Sequence, residues 1–213
     1  MTAINLNSTQ QLGSRTFKVD HATGPASLLK PHKMGNLLWK PMFTMGMMGV
    51  GVSVILAAVR TGLVGDADPA DAATIEQLRQ FTTGALFLGF TGIFAAISFA
   101  IARILGVFRV GGSELQADVG TDVQTLKMPT TAKAFIALMM MGMMAVAFGS
   151  ISNIVAGLSF SEAADLVDSQ QWYVFSAGLR RIGVALYLGG ITLGLVTILG
   201  VIRFQAIRIR QLG

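Results

Sequence analysis

Four long runs without a single charged residue, spanning residues 41–59, 81–102, 134–161 and 182–202, set the terms on which this chain can fold. A helix crosses about 30 Å of hydrocarbon with roughly 20 apolar residues at 1.5 Å per residue, and each run is of that order or longer. A membrane β-strand shows instead about 10 residues of alternating polarity, whereas these runs are continuously apolar. Helices also satisfy their own backbone amides within lipid. Charged residues make up 13% of the 213-residue chain, about half the share usual in a soluble domain. The expected fold is therefore all-α, with four transmembrane helices.

The basic residues sort by side. Arg15, Lys18, Lys30, Lys33 and Lys40 precede the first run, Arg103, Arg109, Lys127 and Lys133 lie between the second and third, and Arg203, Arg208 and Arg210 follow the fourth. The other two connections and their flanks hold only Arg60, Arg79, Arg180 and Arg181. The positive-inside rule then places both termini and the central loop in the cytoplasm of a cell with a plasma (inner) membrane, with two helical hairpins turning on the outside. The expected organisation is a polar cytoplasmic arm over 1–36, a first hairpin over 37–110, a cytoplasmic linker over 111–132, and a second hairpin with a basic tail over 133–213. The arm offers little to bury and reads as mobile or ordered by a partner. It is also too long a polar lead for a cleavable signal, so the first span is read as retained.

The two hairpins are copies. Met45-Gly46-Met47-Met48 returns as Met141-Gly142-Met143-Met144, an offset of 96 (45 to 141), and Gly62-Leu63 returns as Gly157-Leu158 after a one-residue slip. In the second helices Phe81-Thr82-Thr83-Gly84 matches Phe175-Ser176-Ala177-Gly178, and residues 104–109 match 198–203, both at an offset of 94 (81 to 175). Each copy enters and leaves on one side, so the repeat is of the parallel type, which is not the inverted type common in alternating-access carriers. A pseudo-two-fold axis along the membrane normal would bring equivalent faces together. Small residues mark the expected packing faces: Gly49, Ser53 and Ala57 in the first copy against Ala145, Gly149 and Asn153 in the second, then Ala96 and Ala100 against Gly190 and Gly194. Such spacing lets helix backbones approach closely in lipid.

Two clusters carry possible chemistry. Met45, Met48, Met141 and Met144 are spaced to present thioethers from facing helices, which would suit Cu(I); the plainer reading is flexible apolar packing beside glycine. Arg60, Arg180 and Arg181, with Asn153, lie at the opposite ends of the runs. Arg180 and Arg181 align with Leu86 and Phe87, the clearest break in the duplication. A charge within a span is a functional candidate for an anionic headgroup, a quinol-like polar head or a partner carboxylate. The plainer reading is snorkelling to the interface or pairing with acidic loops. Trp39, Trp172 and Tyr173 read as interfacial anchors.

Enzymatic chemistry finds no foothold. Cysteine is absent, and the two histidines, His21 and His32, fall outside the four runs, which leaves no axial imidazole and no His-carboxylate cluster inside the spans. Nucleotide and hydrolase glycine motifs are missing in the required contexts, and no aromatic-interleaved basic stretch points to nucleic acid. The net charge of +5 reads as topology and attraction to an anionic leaflet. The expected function is a non-catalytic membrane subunit, without a cofactor, in contact with lipid and with other membrane subunits or further copies of itself. The alternatives are a small copper or anion transporter with a pore on the repeat axis, and a lipid- or quinone-binding protein.

Overall fold

The computed structural model describes residues 8–12, 15–22, 30–66, 68–159 and 166–212. Four long helices carry the chain: α1 (Lys30–Asp66), α2 (Ala72–Asp118), α3 (Thr130–Ser159) and α4 (Leu166–Leu212). All four are apolar and long enough to cross a bilayer, as expected of a chain in contact with lipid. They pair as hairpins, α1 with α2 and α3 with α4. The helices outrun the apolar stretches that define them. At 1.5 Å per residue the 47 residues of α2 and of α4 extend about 70 Å, more than twice the roughly 30 Å hydrocarbon core.

Local chemistry sets the ends of α2. Before it, Asp68 caps a short turn (Pro69–Asp71), its Oδ1 accepting from the Ala70 amide at 2.9 Å, with Pro69 in the first turn, where its missing amide costs nothing. After it, Gly120 adopts φ +73°, a left-handed conformation that suits glycine, and the Thr121 amide closes back onto the Gln116 carbonyl at 3.0 Å.

Two compact units divide the chain, and every long helix contributes to both. One unit comprises Trp39–Ile97 and Ala137–Gly189. Within it the two hairpins close through the same glycines. A Cβ on Gly46 would come within 2.6 Å of the Ile93 amide nitrogen and 2.7 Å of the Gly89 carbonyl oxygen, and a Cβ on Gly142 within 3.2 Å and 3.0 Å of the same atoms of Tyr187 and Gly183. Positions 46 and 142 correspond at the first offset, and 89 and 183, like 93 and 187, at the second. Where dispersion and interhelical contacts replace the hydrophobic drive of water, such backbone-to-backbone approach is what holds helix pairs together.

Between the hairpins the contacts are not symmetric. A Cβ on Gly84 of α2 would lie 2.7 Å from Ile154 Cγ1 and 3.0 Å from the Ser150 carbonyl oxygen of α3, and one on Gly157 of α3 would lie 3.0 Å from the Phe81 ring. The two-fold expectation requires Val54, Ala58 and Gly62 of α1 to meet Phe175 and Gly178 of α4 in the same way. All five are exposed, and a Cβ on Gly62 or Gly178 would find no neighbour within 4 Å. Unlike faces join the two hairpins, and one of each kind is left over.

The other unit comprises Ser98–Ile136 together with the chain up to Leu38 and from Gly190. Beside the four long helices this unit also carries one small three-stranded sheet. Strands β1 (Ser8–Leu12) and β2 (Arg15–Ala22) form a hairpin, and β2 pairs antiparallel with β3 (Val123–Leu126), with Val19 opposite Leu126. Residues 8–12 and 15–22 of the stretch read as a mobile or partner-ordered arm thus belong to a sheet whose third strand comes from the central connection. Val19 and Phe204 are fully buried against each other, flanked by Leu126 and Ile207. Helical structure also reaches past the expected limits, since α1 begins at Lys30 and α2 runs on through Gly111 and Gly112. His32 belongs to α1, where its Nδ1 lies 2.8 Å from the Ala102 carbonyl oxygen. Gly106 makes room for it, because a Cβ there would come within 2.7 Å of the His32 Cβ.

Candidate functional site

A cluster of buried polar side chains lies where α2, α3 and α4 meet, and Arg180 is at its centre. It is only 2% exposed, so it does not snorkel. Helix α4 begins at Leu166, which leaves Arg180 well inside the helix. Its Nη1 donates to the Gly149 carbonyl of α3 at 3.3 Å and to Ser176 Oγ one turn earlier at 3.0 Å. Its guanidinium carbon lies 5.0 Å from the centroid of Phe87 on α2 and 5.5 Å from that of Tyr173. Each ring presents its negative face to the cation, an attraction of about 0.5–2 kcal/mol. Among the described residues no carboxylate bonds to Arg180, and its Nε has no hydrogen-bond partner.

Asn153 joins this cluster through Ser176. The Ser176 hydroxyl bonds Asn153 Oδ1 and lies 3.0 Å from the Tyr173 carbonyl oxygen; with one proton it donates to one of them at a time. Asn153 Nδ2 is buried without a partner among the described residues. The arrangement follows from three linked differences between the copies. Where the first copy has Ser53, Ala57 and Leu86, the second has Gly149, Asn153 and Arg180. A Cβ at 149 would lie 3.0 Å from Arg180 Cγ and 3.0 Å from the Ser176 carbonyl oxygen. Removing the side chain at 149 therefore makes room for the one gained at 180.

A second network adjoins the first through Tyr173. Arg79 places its guanidinium carbon 4.2 Å from the centroid of that ring and pairs with Glu76 at 2.6 Å. Gln80, fully buried, donates its amide to the Ser169 carbonyl and hydroxyl at 3.0 Å each, and Ser169 Oγ donates to Glu76 Oε1 at 2.9 Å. Tyr173, expected at the interface, thus lies within reach of two arginines. Trp172 beside it is exposed and meets Phe175 edge-on.

The other expected site residues are dispersed. Arg181 is exposed and Arg60 half-buried, and no hydrogen bond among the described residues ties either to Arg180. Met45, Met48, Met141 and Met144 all face outward, so no enclosed thioether ring forms from them. Of the expected packing residues, Ser53, Gly149, Ala96, Gly190 and Gly194 are buried, and Gly49, Ala57, Ala145 and Ala100 are half-buried. Gly49 sits on Gly89, where its Cβ would be 2.9 Å from the Gly89 Cα, and Gly194 packs beneath Phe135 and Ile101.

Sequence reasoning passed over Ser176, Gln80 and Ser169, which resemble any small or polar residue near a helix end. Gly89 and Gly183 were findable, because they correspond at the offset already fixed by Gly84 and Gly178. Chemically the site is a set of cross-ties: one guanidinium bridges three helices. Set against family models, curated proteins and solved structures, the chain matches none.

Proposed function

We propose that this chain is a non-catalytic integral membrane subunit that assembles with, or stabilises, a larger inner-membrane complex. In this reading its two hairpins are tandem copies with the same orientation, and both termini are cytoplasmic. The observation that carries it is the openness of α1: only 11% of its most apolar stretch is buried, although the helix holds the close-packing residues Gly46 and Gly49 on its inner side. Its outer side carries Val54, Ile55 and Val59, all exposed, with Gly51, Gly62 and Gly65, none of which has a neighbour within 4 Å of a Cβ position. A helix facing only lipid has no use for small residues there, whereas a helix that receives another helix does. Arg180, Ser176 and Gln80 tie the chain's own helices together, which fits a scaffold.

Purification from native membranes in mild detergent, through an affinity tag on the C-terminus, is expected to recover other membrane subunits in stoichiometric amounts. Recovery of this chain with nothing but copies of itself overturns the accessory reading.

A further inference from the structure

We propose that the exposed faces of α1 and α4 form a head-to-tail interface between copies of this chain, in which Val54, Ala58 and Gly62 of one copy pack against Val174, Phe175 and Gly178 of the next. The interface already exists once inside each chain. Ser150, Ile154 and Gly157 of α3 pack on Gln80, Phe81 and Gly84 of α2, with Gly84 against Ile154 and Gly157 against both Phe81 and Gln80. By the repeat offsets, Ser150, Ile154 and Gly157 correspond to Val54, Ala58 and Gly62, and Gln80, Phe81 and Gly84 correspond to Val174, Phe175 and Gly178. The second set of six holds the shape elements of the first: an aromatic ring, a glycine to receive a side chain, and a glycine to approach the ring. Yet all six are exposed.

Had the hairpins closed about a two-fold axis, both contacts would lie within one chain. They join by unlike faces instead, and a contact between unlike faces leaves one of each kind free, the condition for head-to-tail assembly into a ring or a row. The α4 face is open over the same positions. Val174 and Phe175, with Val167, Gln170 and Gln171, line a shallow hollow of about 500 Å³, at the positions corresponding to those where α2 receives Gly157. The occupant is the α1 segment around Ala58 and Gly62 of a second copy, since by the repeat that segment corresponds to the Ile154 and Gly157 segment of α3, which packs on the equivalent face of α2. The inference is independent of the accessory reading: copies can adjoin one another whether or not foreign subunits are present.

The native chain has no cysteine, so cross-linking tests this directly. Full-length Ala58→Cys and Gly178→Cys chains with different tags are co-expressed, and membranes are oxidised with copper phenanthroline. A mixed-tag dimer at twice the 22.5 kDa chain mass is expected, and the double variant Ala58→Cys with Gly178→Cys should give a ladder of higher multiples. Gly84→Cys with Ile154→Cys should link within one chain, without a mass increase, and serves as the positive control. The proposal is overturned if the control links and no mixed-tag dimer forms, if the double variant links only within its own chain, or if Gly178→Cys links instead to a different protein. Should a cysteine variant fail to fold, native mass spectrometry of the unmodified chain decides: multiples of the chain mass support the interface, and a monomer overturns it.

Discussion

Gly46 and Gly89 meet backbone to backbone: a Cβ on the first would stand 2.7 Å from the carbonyl oxygen of the second, and one on the second would stand 2.8 Å from the carbonyl oxygen of the first. Contacts of this kind cannot be relieved by a rotamer change, because backbone lies on both sides. Gly46→Leu or Gly89→Leu should therefore force α1 and α2 apart, at an overpacking cost of about 1–3 kcal/mol. The expected result is a lowered midpoint of thermal unfolding in detergent. Gly111→Ala should leave it unchanged or raise it, since that position within α2 is open and glycine in a helix costs about 0.5–1 kcal/mol relative to alanine.

Arg180 and Gly149 form a matched pair, and their substitutions should not add. Gly149→Ser alone drives an atom into Arg180 Cγ and the Ser176 carbonyl. Arg180→Leu alone removes two hydrogen bonds and two ring contacts, at about 1–3 kcal/mol. The triple variant Gly149→Ser, Asn153→Ala, Arg180→Leu rebuilds the corresponding residues of the first hairpin and should recover much of the loss of either single change. Thermal unfolding of the three proteins checks this, and losses that simply sum would show that the differences between the copies are unconnected.

The helices and their hairpin pairing were legible because a run of twenty apolar residues has few other outcomes and because the Met-Gly-Met-Met and Phe-x-x-Gly repeats fix a register between the copies. That register even locates Gly89 and Gly183. Two things were not legible. The sheet depends on β3 pairing with β2 across about a hundred residues, and neither strand is long or alternating enough to announce a partner so distant in sequence. The position of Arg180 depends on helix rotation: hydropathy places a residue along the bilayer normal, but whether its side chain turns outward to the interface or inward to Gly149 is settled by neighbours on other helices.

The sheet's attachment rests on Val19, which is fully buried against Phe204. Val19→Asp would put a carboxylate into that apolar contact without a partner, and the expected response is release of the β1–β2 hairpin, since burying the charge costs more than unpairing two short strands. Limited trypsin digestion reads this out. Cleavage after Arg15 and Lys18 should be slow in the unmodified protein and at least several-fold faster in Val19→Asp, while the four helices keep their far-ultraviolet circular dichroism. Equal cleavage rates would mean that the strands are not held by this contact.

The orientation of the chain can be read from α2 alone. Ala70, just before its start, and Glu114, near its end, are both exposed. The 44 residue steps from 70 to 114 span about 66 Å in helical geometry, which exceeds the roughly 40–45 Å of a bilayer with its headgroups. Both positions should therefore reach water on opposite sides, whatever the tilt within the usual range. In intact cells a membrane-impermeant maleimide is expected to label Ala70→Cys and to spare Glu114→Cys until the membrane is opened. This follows from Arg103, Arg109, Lys127 and Lys133 flanking the second position. The opposite pattern would turn the whole topology over and place the sheet outside the cell. Labelling of both positions in intact cells would mean that α2 does not cross the membrane.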